Sequence, residues 1–368
     1  MTGVLLDPMA VSVRIDRLRE KLGRDGSLLV TSLTNIRYLT GFTGSAGMLF
    51  VLPEATVLVT DGRYQEQAGE QVAASGAPVS VSVAPGPAQR DVAAAIVGEH
   101  GLSTLGLEAA HISWARQRTL ATEWFTGVEL EPTVGLVEAL RAVKDEAEIL
   151  RLEEAAAIAD RALQAVRERL VAGPTEAEFG RLLDYEMRQL GAEGPSFETI
   201  VASGPNGAKP HHRPGSRTVG RDEPVVLDFG ALVDGYCSDM TRTVWVGGLT
   251  DPELRRAYEV VLASQAAGVA AVRAGVACAD VDRECRQVIE DAGLGDRFVH
   301  GTGHGVGLDI HEAPSLSSAS TDTLVAGQVV TVEPGVYLPG LGGIRIEDTV
   351  VVTDDGCRPL TSTPKDRP

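Results

Sequence analysis

Two short segments of this chain echo each other. Val225-Val226-Leu227-Asp228-Phe229-Gly230 and Val330-Thr331-Val332-Glu333-Pro334-Gly335 each end an apolar β pattern on an acid. A second acid follows beside a threonine, 11 residues on in the first case (Asp239) and 14 in the second (Glu347). The pattern predicts two similar β-hairpins, each presenting two carboxylates, in a domain with internal pseudo-symmetry. It also constrains what can surround them. Asp228, Glu333 and Glu347 sit at the end of, or inside, Val/Ile/Leu strands, where a buried carboxylate costs several kcal/mol unless it is paired or bound to a metal.

Five of the seven histidines fall between His211 and His311, in the same stretch as these acids or flanking it. Four carboxylates with one glycine-flanked histidine point to cation coordination. An oxygen-rich set of this kind suits hard or borderline divalent ions such as Mn²⁺ rather than thiolate-preferring ions. Two such ions would neutralise the acids and activate a water near neutral pH.

Competing motifs fail on spacing. His300 and His304 are four apart, but Gly301, Gly303, Gly305 and Gly307 argue against a zinc-binding helix there. His311-Glu312 begins like H-E-x-x-H, yet Ser315 stands where the second histidine should, and Pro314 would break the helix. The glycines of Gly301–Gly307 do not complete G-x-G-x-x-G, because Val306 takes the last position. Asp228-Phe229-Gly230 mimics a kinase triplet without a catalytic-loop H-R-D, and there is no G-x-S-x-G elbow.

The first third of the chain alternates short apolar runs with helical patterns. Strands are expected at Ser27–Leu33, Met48–Leu52, Thr56–Thr60, Val79–Val83 and Thr104–Glu108, with helices at Arg63–Val72, Gln89–His100 and Ser113–Phe125. That alternation predicts an α/β domain. The boundary is placed within Pro132–Val143, giving domains of residues 1–136 and 137–368. Beyond it, a long amphipathic helix is expected over Glu146–Val171, stopped by Gly173-Pro174. A capping box at Thr175 and Glu178 opens the next helix, and Asp251-Pro252 opens another reaching about Gly275. The intervening β patterns at Val225–Asp228, Thr241–Val246, Val329–Glu333 and Ile344–Val352 make this second domain α+β, with helices on one face of a largely antiparallel sheet.

Composition enters as exclusion. With 51 acidic against 33 basic side chains and a net charge of −18, the chain lacks the clustered cations that nucleic acid binding needs. No secretion signal or membrane span is read from the sequence. The four cysteines have no C-x-x-C spacing, and Cys278 and Cys285 read as packed thiols. A cytoplasmic location is expected.

The motifs together identify a resemblance. Leu227-Asp228-Phe229-Gly230, Ser238-Asp239-Met240-Thr241-Arg242-Thr243, His300-Gly301-Thr302-Gly303-His304-Gly305-Val306-Gly307-Leu308, Val332-Glu333-Pro334-Gly335 and Ile344-Arg345-Ile346-Glu347-Asp348 resemble the pita-bread metallopeptidases. That group includes aminopeptidase P, prolidase and, more distantly, methionine aminopeptidase. The likeness spans nearly the whole chain and implies an α/β creatinase-type N-terminal domain followed by an α+β pita-bread catalytic domain.

The resemblance implies that Asp228, Asp239, His304, Glu333 and Glu347 hold two divalent ions, Mn²⁺ first, with Co²⁺ or Zn²⁺ as alternatives. All five positions are filled, unlike metal-free creatinase or the non-enzymatic members of the fold. His211 resembles the substrate-side histidine, with His212 as its alternative. His300 resembles a further active-site histidine, and Glu333 the general base. His311 and Arg345 resemble the groups on the proline side; the alternative for Arg345 is an ion pair to a ligand carboxylate. The segments Asn35–Phe42 and Thr60–Tyr64 resemble N-domain signatures of the aminopeptidase P side. The implied activity is cleavage of a small peptide between its first residue and a following proline, by a homodimer. A dipeptide-only prolidase and a non-catalytic binding protein are the alternatives.

Overall fold

The computed structural model of the chain describes Leu6 and residues 8–367. The chain divides into two compact units, Asp7–Arg141 and Ala142–Pro368.

The first unit is built on one six-stranded sheet. Its strands are β1 (Leu28–Val30), β2 (Met48–Val51), β3 (Thr56–Thr60), β4 (Ser80–Val83), β5 (Thr104–Glu108) and β6 (Glu129–Thr133), in the order β4-β3-β2-β1-β5-β6. The β1–β2 and β2–β3 pairs are antiparallel and the outer pairs parallel. Phe50, Val59, Leu105, Leu107 and Phe125 are buried in its core. Three elements depart from the expected pattern. Arg14–Leu22 is an α-helix, and Leu33–Thr40, where the first strand was expected to end, is a helix capped by Ser32 and closed by Gly41 in a left-handed conformation. Glu129–Thr133 is a strand despite its polar sequence.

The second unit carries out the echo at the scale of whole cores. Helices Glu146–Val166 and Glu176–Gln189 pack with strands Pro224–Phe229 and Met240–Trp245 around one apolar core, which includes Leu163, Phe179, Leu183, Leu227 and Phe229. Helices Pro252–Ala271 and Cys278–Asp291 pack with strands Val329–Val332, Gly335–Leu338 and Asp348–Val352 around another, which includes Val261, Val281, Ile289, Val330 and Val350. Every paired strand described in this unit is antiparallel. Two helix starts form as expected: Thr175 makes a reciprocal capping box with Glu178, and Asp251 caps its helix through Glu253 N and Leu254 N; Asp145 and Glu148 make a second such box.

In the first hairpin Asp228 lies opposite Thr241; in the second Val332 lies opposite Asp348. The expected run Ile344–Val352 is two strands, Gly342–Arg345 and Asp348–Val352, interrupted at Ile346-Glu347. The interruption has a cause in hydrogen bonding. Glu347 N donates to Thr241 O (3.1 Å) in the other hairpin, and the hydroxyl of Thr241 donates to Glu347 Oε2 (2.7 Å). Thr349 Oγ1 donates to Asp239 O (2.7 Å) and Thr243 Oγ1 to Arg345 O (2.8 Å). The threonines beside the acids therefore stitch the two hairpins edge to edge.

No helix among the described residues is long and apolar enough to cross a membrane. None of the four cysteines forms a disulfide, and burial pushes the thiols of Cys278 and Cys285 up to about 11 and about 12.

Candidate active site

The stitched hairpins bring all four acids to one place. Asp228, Asp239, His304, Glu333 and Glu347 line a single cavity of about 530 Å³, and His211, His212, His300, His311 and Arg345 line it too. One cavity thus gathers the ten candidate metal-binding and catalytic residues of the sequence analysis.

His304 sits on a short strand, Gly303–Gly305, squeezed between two neighbours. A Cβ on Gly303 would lie 2.0 Å from Thr331 O, and one on Gly305 2.3 Å from Ala313 O, so glycine is required on both sides of the histidine. His304 Nδ1 lies 3.0 Å from the carbonyl oxygen of Gly305, which can only accept, so Nδ1 carries the proton. Burial pushes this imidazole down to about 4, and it is neutral. Its Nε2 therefore presents a lone pair toward Asp239 Oδ2 at 3.5 Å and Glu333 Oε1 at 3.4 Å.

The acids are crowded to the same degree. Asp239 and Glu347 are pushed well above the usual carboxylate range, first by burial and then by neighbouring charge, that of Glu347 for Asp239 and those of Glu333 and Asp228 for Glu347. Glu333 is pushed up to about 8 by burial, with Asp228 adding to the rise and Arg345 opposing it. Asp228 Oδ1 and Glu347 Oε1 are buried and have no hydrogen-bond partner. Ligand atoms of Asp239, His304 and Glu347 lie within 4.8 Å of one another. Unpartnered carboxylate oxygens and an imidazole lone pair converging on one point are what a divalent cation satisfies, and the oxygen-rich donors fit a hard or borderline one.

Among the described residues lining this cavity, Arg345 is the one buried cation. Nη2 donates to Asp228 Oδ2 at 2.6 Å, Nη1 to Tyr337 Oη at 2.9 Å and Pro210 O at 3.3 Å, and Nε to Thr241 Oγ1 at 3.1 Å. Four of its five N–H groups are thus used within the protein. This matches the ion-pair alternative for Arg345 rather than a hand open to substrate.

Because Arg345 donates to Tyr337, the tyrosine hydroxyl is left to donate to His300 Nε2 (2.7 Å), while His300 Nδ1 bonds Gly301 O (2.8 Å). Burial pushes His300 down to about 4, so both its nitrogens are occupied in a neutral ring. The ring of His311 meets that of His304 edge-on at 4.4 Å. Its loop is pinned by Glu312, which accepts from the buried Lys144 Nζ at 3.0 Å.

His211 is exposed in the cavity wall and has no hydrogen-bond partner among the described residues. His212 Nε2, by contrast, is tied to the buried Glu176 at 2.8 Å. The sequence carries no signal for Tyr337, Lys144 or Glu176. Tyr337 lies in an apolar strand pattern, and Lys144 and Glu176 look like ordinary charged residues at helix starts. The threonine after each acid pair was visible, but its stitching role was not.

Residues 151–354 match the model of metallopeptidase family M24, and residues 14–143 match that of the creatinase/prolidase N-terminal domain. The chain is similar to a Bacillus subtilis (strain 168) protein named Uncharacterized peptidase YqhT, 40% identical over 96% of this chain and 99% of that one. Among solved structures it is similar to an Xaa-Pro dipeptidase from Bacillus anthracis (39% identity, TM-score 0.91, covering 96% of this chain and 98% of that one). It is also similar to an X-Pro aminopeptidase from Thermotoga maritima MSB8 (35% identity, TM-score 0.87, covering 94% and 98%). The chain belongs to metallopeptidase family M24: a creatinase-type α/β domain followed by the pita-bread catalytic domain.

Proposed function

We propose that the protein is a dinuclear-metal Xaa-Pro aminopeptidase, releasing the first residue of an oligopeptide whose second residue is proline. Relatives carry both aminopeptidase and dipeptidase names, and one observation favours the former. A dipeptidase needs a cation to grip the free carboxylate of proline. Buried Arg345 has committed four of its five N–H groups to the protein, and it cannot leave Asp228 without exposing an unpaired buried charge. The cavity's other arginine, Arg213, is exposed and paired with Glu198 at 3.2 Å.

In this reading Asp228, Asp239, His304, Glu333 and Glu347 hold two divalent ions, with manganese the first choice. Such ions would neutralise the carboxylates, polarise the scissile carbonyl and lower the pKa of water.

The remaining work falls to the chain. The Glu333 carboxylate takes a proton from the attacking water and returns it to the leaving proline nitrogen. The ring of His211, free of intramolecular bonds, donates to the oxygen that gains charge in the transition state. Proline lacks the N–H that ordinary peptidases grip; Phe197, Ile200 and Ile310 line the cavity as apolar surface for its ring, with His300 and His311 beside them. Arg345 holds Asp228 in place. A homodimer in the cytoplasm completes the proposal.

The test is cleavage of Ala-Pro against Ala-Pro-Ala by Mn²⁺-loaded protein, with an EDTA control. The tripeptide should be preferred. Strict preference for the dipeptide would make the protein a prolidase instead.

A further inference from the structure

Glu176 is the first residue of its helix, and a carboxylate there is ordinarily solvated, where it complements the helix dipole. This one is fully buried. Oε1 accepts from Ser203 N (2.9 Å), Ser203 Oγ (2.8 Å) and Asn206 Nδ2 (3.0 Å). Oε2 accepts from Asn206 Nδ2 (3.2 Å), His212 Nε2 (2.8 Å) and Gly215 N (3.3 Å). Every partner is a donor, and all of them lie on the segment 203–215. The helix backbone adds Glu176 N to Arg217 O (2.9 Å) and Ala177 N to Gly215 O (3.0 Å). Arg217 closes the ring by donating to Ser203 Oγ (2.6 Å) and pairing with Glu223 (2.6 Å).

That segment carries Pro210, whose carbonyl accepts from Arg345, and His211. Since the His211 ring has no hydrogen-bond partner among the described residues, no side-chain hydrogen bond fixes its place in the cavity, and the backbone of the loop carries it there.

We propose that Glu176 is a positioning residue that holds the loop 203–217 so that His211 faces the reacting carbonyl. The proposal rests on the aminopeptidase reading for what His211 does. That Glu176 holds the loop stands on the geometry alone. His212, the neighbour in the sequence, serves as the tether.

Glu176→Gln tests this with little change of shape, because in either orientation the new amide N–H₂ must face Asn206 Nδ2 and a backbone N–H, of Ser203 or Gly215, which only donate. Hydrogen exchange of amides in 203–217, Ser203 and Gly215 above all, should accelerate while the rest of the chain keeps its protection. With Mn²⁺ content unchanged, kcat on Ala-Pro-Ala should fall about 10- to 100-fold, the scale of a misplaced catalytic group, with KM moving much less. Because Glu176 acts through His211, adding Glu176→Gln to His211→Ala should cost less than about a further twofold, whereas independent roles would multiply.

Asn206→Ala is a milder variant for the case in which Glu176→Gln does not fold, and should shift exchange and kcat in the same direction by less. Unchanged exchange in the loop, retained kcat, or multiplying losses would each overturn the proposal. A wild-type protein that cleaves no Xaa-Pro peptide would instead overturn the functional reading. The exchange measurement, which needs no substrate, would still decide whether Glu176 holds the loop.

Discussion

At the scale of single residues, the site is a problem of unsatisfied charge. Buried carboxylates repel, and the chain supplies one buried guanidinium among them, bonded to Asp228 and Tyr337. A lysine has the charge but not the planar fork. Arg345→Lys should therefore leave Tyr337, Thr241 and Pro210 with missing donors and lower kcat/KM about 10- to 100-fold, the value of one or two charge-assisted bonds. Steady-state kinetics on Ala-Pro-Ala would show it; kinetics within twofold of wild type would mean the fork is dispensable. Neutral His304 makes the complementary point. Its lone pair lies 3.4–3.5 Å from two carboxyl groups, a set of donor atoms that a divalent cation satisfies together.

At the scale of elements, short tethers hold the loops that carry the histidines. Lys144 and Glu312 pair at 3.0 Å with almost no exposure. Lys144→Met removes one partner of this buried ion pair, which should cost about 3–5 kcal/mol of stability; a denaturant midpoint equal to wild type would contradict this.

Glu176 adds a pH signature. Burial alone would raise its carboxyl, but the bonds from Asn206, Ser203 and His212 outweigh this and hold it below the usual value. A group lowered in the folded state stabilises above its unfolded pKa, near 4.5, and the benefit drains away as pH falls through the lower folded value. Wild type should thus lose more stability than Glu176→Gln between neutral pH and about pH 3. Parallel denaturation curves across that range would refute it.

Elements also show where the sequence was readable. The capping box at Thr175 and the apolar strands ending on acids were legible because each is a local pattern with a local cause. The helix Leu33–Thr40 was hidden by its threonines, isoleucine and tyrosine, which favour strands. Strand Glu129–Thr133 was hidden by its charges and Pro132, which the edge of a sheet tolerates. The break at Ile346-Glu347 comes from a bond to a strand about a hundred residues away, and no local pattern announces it. In the site the ligand-type residues were readable by their chemistry. Tyr337, Lys144 and Glu176 were not, since only the fold shows which partners they meet.

At the scale of the whole molecule, the second unit is two similar halves, each a helix pair on an antiparallel sheet, which meet along strands stitched by threonine. Carboxylates from both halves enter one cavity, so a cation there cross-links them. Binding only the native state, free Mn²⁺ at about 100 times its Kd should add about 2.7 kcal/mol. The thermal midpoint should rise with Mn²⁺ and fall with EDTA; a midpoint indifferent to both would argue against a structural tie through the site.

The central claim is that the clustered carboxylates work by holding divalent metal. The most direct test measures bound Mn²⁺ and Ala-Pro-Ala cleavage together, in wild type and in Asp239→Ala and Glu347→Ala. The account predicts two ions per chain in wild type, with metal and activity lost together in both variants. Full activity in a chain stripped of metal, or in either variant, would contradict it.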